Sequence, residues 1–215
     1  MMKRTRSRAC AVLLLSSLPI GRADAHPHVW VTLRSEILYS AEGAMTGVRH
    51  AWTFDDMFST YALQGMPHAK KGEYTRHELA PLAQVNVESL KEYAYFTFAR
   101  ADGRKLTFAD PVDYWLEYKN PALVLHFTLP LKAPVPAKVM QIEVYDPSIF
   151  VDFEFAKETP VLLSGASPQC ALTVDLPHQP TPAEQLKLSQ LDVTPLDASS
   201  AYGEIFANKM LVRCP

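Results

Sequence analysis

Three things are scarce in this chain, and each scarcity narrows what it can be. After residue 25 no apolar stretch reaches the roughly 20 residues that cross a bilayer. Cationic side chains are not in excess: there are 21 Lys and Arg against 23 Asp and Glu. Residues 1–25 hold five of the former and one of the latter, so the remainder stands at 16 against 22. That acidic balance argues against nucleic acid or an anionic membrane as partner. Cysteine is limited to Cys10, Cys170 and Cys214. There is no internal repeat, low-complexity tract, phosphate-cradling glycine loop or nucleophile elbow.

What is present begins at the N-terminus. A basic region (Lys3, Arg4, Arg6, Arg8) precedes an apolar run over residues 9–20 and the small-residue site Ala23-Asp24-Ala25. This is the pattern of a cleaved secretory signal, residues 1–25, followed by a single periplasmic domain, 26–215. Cys10 stands at the start of the apolar run and not behind it, so it is no lipidation site. Cys170 and Cys214 then remain as the two thiols of an exported chain, which implies one disulfide. It closes a loop of roughly 45 residues and contributes about 3–4 kcal/mol in the chain-entropy picture.

Cleavage after Ala25 makes His26 the first residue of the mature protein. Its α-amine and ring Nδ1, with the ring of His28, offer three neutral nitrogens, and an extended backbone directs the side chains of i and i+2 to one face. Such donors suit Ni, Co, Zn or Cu and not Ca or Mg. The square-planar N-terminal motif is excluded, because Pro27 has no amide proton to lose. A further ligand is expected from His50, with Asp146 and His126 as weaker candidates.

Alternation then predicts strands. Val29, Val31, Leu33 and Ile37 share one face of the first, with His28, Trp30, Thr32, Arg34 and Glu36 on the other. Residues 46–54 form a second strand with Val48, His50, Trp52 and Phe54 on one face; a histidine among aromatics there reads as a hydrogen-bonded core residue or as a ligand. Asp55 is an N-cap, and Thr75-Arg76-His77-Glu78 a capping box. Together they mark a helical excursion over about 55–92, which Pro81 kinks or restarts. Strands are expected at 93–100 and 105–108 around the Asp102-Gly103 turn, at 114–118 and 123–129, at 138–145 and 149–155 around Asp146-Pro147-Ser148, and at 161–163, 172–176 and 209–214. Short helices follow Thr181 and span 200–207. The fold class is α+β: a mainly antiparallel β-sandwich with a helix-loop-helix excursion and short C-terminal helices.

The loop 67–78 has the spacing of an EF-hand, with Gly72 at position six and Glu78 at twelve. Positions one, three and five are Pro67, Ala69 and Lys71 in place of carboxylates, so no calcium is expected.

Five stretches together resemble one family: His26-Pro27-His28-Val29-Trp30-Val31, Arg49-His50-Ala51-Trp52-Thr53-Phe54-Asp55, Glu78-Leu79-Ala80-Pro81-Leu82-Ala83, Asp113-Tyr114-Trp115-Leu116 and Val144-Tyr145-Asp146-Pro147-Ser148. It is the bacterial domain-of-unknown-function family described as the periplasmic component of an uncharacterised ABC-type transport system. The resemblance covers the mature chain. Members are commonly encoded beside, or fused to, nickel/cobalt efflux-type permeases, and many carry an acidic EF-hand-like loop where this chain has 67–78. The resemblance implies transition-metal handling with an inner-membrane metal permease as partner, and marks His26, His28, His50, Asp55 and Asp146 as motif residues able to bind metal. The expected function is a metal-binding accessory protein and not an enzyme, since no general-base constellation is present. The alternatives are a copper histidine-brace oxidative enzyme and a structural partner whose histidines only pack.

Overall fold

The computed structural model describes residues 28–67, 70, 72–119, 121–177, 181–188 and 202–215. The signal-sequence reading, His26 and Lys71 lie outside them. Two sheets face each other. The first contains β1 (Val29–Tyr39), β2 (Met45–Phe54), β5 (Val112–Lys119), β6 (Ala122–Val135), β8 (Val151–Phe155) and β9 (Val161–Ser164). Its order is β5-β6-β2-β1-β8, with β9 also on β1. The second contains β3 (Thr97–Ala101), β4 (Arg104–Lys105), β7 (Val139–Val144), β10 (Ala171–Asp175) and β11 (Asn208–Arg213), ordered β10-β11-β7-β3-β4.

The alternation in the sequence builds the core directly. Along β1, Val29, Val31, Leu33 and Ile37 are buried, and β2 contributes Val48, His50, Trp52 and Phe54. Leu123, Leu125, Phe127 and Leu129 of β6 complete this inner face, opposite Met140, Ile142 and Val144 of β7 and Met210 and Val212 of β11. Each such side chain withdrawn from water stabilises the fold by about 1.5–3 kcal/mol. Trp52 sits at the centre, edge-on to Phe127 at 4.8 Å and to Phe153 at 4.9 Å between ring centroids.

The sandwich is not wholly antiparallel. β8 and β9 both run parallel to β1, end to end along its outer edge: Val29–Leu33 pair with Val151–Phe155, and Ser35–Leu38 with Val161–Ser164. The turn at Asp146-Pro147-Ser148 therefore joins strands of different sheets. Asn208 braces the crossing, its side-chain amide donating to the Phe153 carbonyl at 2.6 Å. The turn at Asp102-Gly103 does close a hairpin, with φ of 46° and 80° at its two central residues, the left-handed pair that a tight two-residue hairpin loop demands.

Between β2 and β3 lies the helical excursion. Asp55 caps α1 (Asp56–Ala62), its carboxylate accepting the Phe58 amide at 2.8 Å. Thr75 and Glu78 form the reciprocal capping box of α2 (Arg76–Leu90). Pro81 neither ends nor restarts this helix: α2 continues through it, with Leu79, Ala83 and Val87 as its buried positions. The Glu78 carboxylate accepts from the Thr75 amide and hydroxyl, both at 2.7 Å. The expected strand at 93–100 is shorter than its aromatic content suggested. Residues Lys91–Phe96 form a tight turn segment, with left-handed φ at Ala94 (52°), Tyr95 (54°) and Phe96 (48°), and the strand starts at Thr97.

At the C-terminus, α3 (Pro182–Leu188) follows a second Thr-Glu box at Thr181 and Glu184, and α4 (Tyr202–Ile205) leads into β11. Cys170 and Cys214 are disulfide-bonded, with Cα atoms 4.2 Å apart. No helix among the described residues is long and apolar enough to cross a membrane.

Candidate functional site

The site is assembled where β1 begins. The amides of His28 and Val29 both donate to the Phe150 carbonyl, at 2.9 and 3.3 Å. The exposed His28 ring lies against the Phe150 ring, centroids 4.9 Å apart. Phe150 is held in turn by Asp146, which is only 4% exposed. One Asp146 oxygen accepts from the Ser148 amide (2.8 Å) and hydroxyl (2.7 Å). The other accepts from the amides of Phe150 (3.1 Å) and Val151 (2.9 Å). A carboxylate has about four lone-pair positions, and here four donors take them. Gly203 packs on the same turn: a Cβ there would lie 2.7 Å from the Pro147 Cα and 2.8 Å from the Asp146 carbonyl oxygen, so a side chain is excluded.

Behind this turn, between the first sheet and the helical excursion, is a cavity of about 440 Å³. Trp52, Phe96 and Phe153 line its inner part, Val31, Phe54 and Phe58 one wall, and Asn86, Ser89 and Leu90 of α2 another. Tyr93, Asp146 and Ser148 supply further polar atoms. Burial, then the neighbouring Glu92 carboxylate, pushes the Tyr93 hydroxyl above its ordinary range. The Trp52 side chain is 1% exposed, and its indole N–H has no hydrogen-bond partner among the described residues.

The other candidates lie elsewhere. The β1–β2 register sets His50 opposite Ser35, seven positions along β1 from His28, or about 23 Å at strand rise. The expectation that these two rings converge is therefore corrected by the register. Both His50 nitrogens are engaged: Nδ1 lies 2.9 Å from Ser35 Oγ and Nε2 3.2 Å from Thr97 Oγ1. Because the Thr97 hydroxyl donates to the Tyr95 carbonyl at 2.8 Å, it accepts from His50 Nε2–H, which leaves Nδ1 to accept from Ser35. Burial drives the His50 pKa down to about 3, so the ring is neutral.

His126 stacks flat on Trp115 at 4.4 Å, lies 3.2 Å from the Glu117 carboxylate, and faces α2, whose Arg76 guanidinium covers the same indole at 4.4 Å. Burial lowers its pKa, while Glu117 acts the other way. Asp55 divides its oxygens between the Phe58 amide and the Trp30 amide, the latter at 3.0 Å. Among the described residues no three of His, Cys, Asp and Glu come together as a metal cluster. Of the sequence-derived set, the structure gathers only His28 and Asp146 at one place, and Asp146 serves there as the organiser of the turn. The Phe150 contact, the cavity and the partnerless indole were not foreseen. Alternation marked Trp52 as inward, but no local pattern reports a void behind it.

The fold and site define an α+β sandwich with an apolar cavity at the end where β1 starts. Over residues 11–214 the chain matches the family described as protein of unknown function (DUF1007), and it belongs to that family. It is similar to an uncharacterized protein of Haemophilus influenzae, 23% identical over 194 residues that cover 88% of this chain and 91% of the relative.

Proposed function

We propose that the protein is an exported accessory protein that holds a Ni, Co, Zn or Cu ion as cargo and passes it to or from an inner-membrane metal permease. The single observation carrying this reading is the placement of His28. Its ring is exposed at the very start of β1 and set in position by Phe150, two residues after the expected N-terminal His26. His50, Asp146 and Asp55 are committed to internal hydrogen bonds, and His126 is stacked on Trp115 beside the Glu117 carboxylate, which leaves the α-amine and ring of His26 and the ring of His28 for the cargo shell. A shell of three nitrogens leaves coordination positions open to a receiving partner, as transfer requires. The disulfide agrees with an oxidising compartment, and the family resemblance supports the permease as partner.

The test is isothermal titration of the processed chain with Ni, Co, Zn and Cu salts beside His28→Ala and His50→Gln. Loss of binding in His28→Ala, with binding retained in folded His50→Gln, supports the reading. Retention in His28→Ala contradicts it.

A further inference from the structure

We propose that a second cavity, beside β3, is a binding site for short peptides with free termini: Arg100 and Lys105 receive the C-terminal carboxylate and Glu204 the N-terminal ammonium. The inference does not depend on the metal reading. The fold makes this cavity by dividing a strand pair. β4 has only two residues, and the Leu106 amide still donates to the Ala99 carbonyl at 2.9 Å. The chain then leaves the second sheet. Phe108 bridges to Leu131, and the Ala109 amide donates to the Pro130 carbonyl at 2.8 Å, both partners lying on β6. Between β3 and the departing segment is a cavity of about 630 Å³, within the roughly 300–1,000 Å³ of small-molecule sites.

The charges of the lining decide the ligand's character. Arg100 and Lys105 are direct cross-strand partners, and both line the cavity. Like charges set opposite each other destabilise a strand pair, and neither side chain has an ion pair among the described residues. A carboxylate placed between them answers both, and the arginine fork matches its two oxygens. Elsewhere the lining is acidic. Glu143 is already engaged by Gln141 at 2.9 Å and Lys209 at 3.4 Å, and Asp110 by Lys91 at 2.9 Å. Glu204 is exposed and has no ion pair among the described residues. The Tyr145 hydroxyl feels both signs: burial, then Glu204 and Glu143, push its pKa up to about 12, and Arg100 acts the other way. Spacing sets the ligand's length. Arg100 pairs with Gln141 of β7, and Tyr145, which neighbours Glu204, stands four residues further on, about 13 Å at strand rise. A free amino acid is too short for that distance, whereas three or four extended residues span about 10–14 Å. The rings of Phe98 and Tyr145, 4.6 Å apart, offer apolar surface along this path.

The test uses the tripeptide alanyl-phenylalanyl-alanine, titrated calorimetrically into the full disulfide-bonded chain with a metal chelator present. With both termini free it should bind saturably, one to one. N-acetylation and C-amidation should each weaken binding about tenfold or more, since each removes a charge-assisted contact. Arg100→Gln should weaken the free peptide by about tenfold and leave amidation with little further effect. Glu204→Gln, at an exposed position, should remove the penalty of acetylation in the same way. Absence of saturable binding of the free peptide, or equal binding of the doubly capped one, overturns the site. Equal affinity for free phenylalanine overturns the two-ended arrangement. An unchanged amidation penalty in folded Arg100→Gln, or an unchanged acetylation penalty in Glu204→Gln, overturns the role given to that residue. Should Arg100→Gln fail to fold, Lys105→Gln, exposed on β4, tests the same end.

Discussion

His50 and Thr97 join the two sheets through one buried hydrogen bond, ring Nε2 to hydroxyl oxygen at 3.2 Å. The Ser35 hydroxyl holds the opposite ring nitrogen, and complete burial disfavours the charged imidazolium. With a folded pKa of about 3 against an ordinary 6.5, the unfolded chain binds the extra proton between those values. Stability from this residue is therefore full above about pH 6.5 and is lost as pH falls toward 3, by up to about 1.4 kcal/mol per pH unit. Denaturant midpoints at pH 7 and pH 5 should differ accordingly, and the difference should shrink in His50→Gln. An equal pH slope in the variant would show that another group controls acid sensitivity.

Asp146 is expected to be the structural centre of the cavity end. Asp146→Ala leaves buried amides of the turn without an acceptor, a loss of about 1–3 kcal/mol for each group that water cannot reach. Gly203→Ala should disturb the same turn through the close approach of its backbone. Thermal unfolding measures both. A variant pair as stable as wild type would contradict the role given to the turn.

Reduction of the Cys170–Cys214 bond releases the C-terminal strand from the loop before β10. Stability should fall by about 3–4 kcal/mol in the double Cys→Ala variant, read from urea unfolding with and without reductant. Reductant should have no further effect on the variant; a reductant-sensitive variant would contradict this pairing.

His126 should titrate below the ordinary histidine value because burial against Trp115 outweighs its carboxylate partner. Glu117→Gln removes the contribution that raises the pKa, so the midpoint should move lower still in an NMR titration. An upward movement would mean that Glu117 does not stabilise the protonated ring.

Much of the sandwich was legible because its strands are half-buried, and period-two alternation reports a buried face directly. The Asp55, Thr75 and Thr181 caps were legible for the same local reason, since a cap is written within four residues. The parallel pairing of β8 and β9 with β1 was not, because a partner more than 100 positions away leaves no mark on local pattern. The segment at 93–96 read as strand from its tyrosines and phenylalanine, yet Ala94, Tyr95 and Phe96 take left-handed backbone.

The separation of His28 from His50 was within reach. A hairpin turning near Gly43 pairs positions such as Ser35 with His50 and Val31 with Phe54, which already sends His28 past the end of β2. Facing the same side of a hairpin is a weaker condition than sharing its register. The cavity left no sequence signal, since a void depends on how the helices and the 146–150 turn settle on the first sheet.

The most direct measurement compares two forms of the mature chain, one beginning at His26 and one with an additional residue ahead of it. If the α-amine and the rings of His26 and His28 hold the cargo ion, nickel or copper titration should give one tight site in the first form and markedly weaker binding in the second. Equal affinity in the two forms would remove the α-amine from the site, and absence of binding in both would contradict the metal-carrier reading altogether.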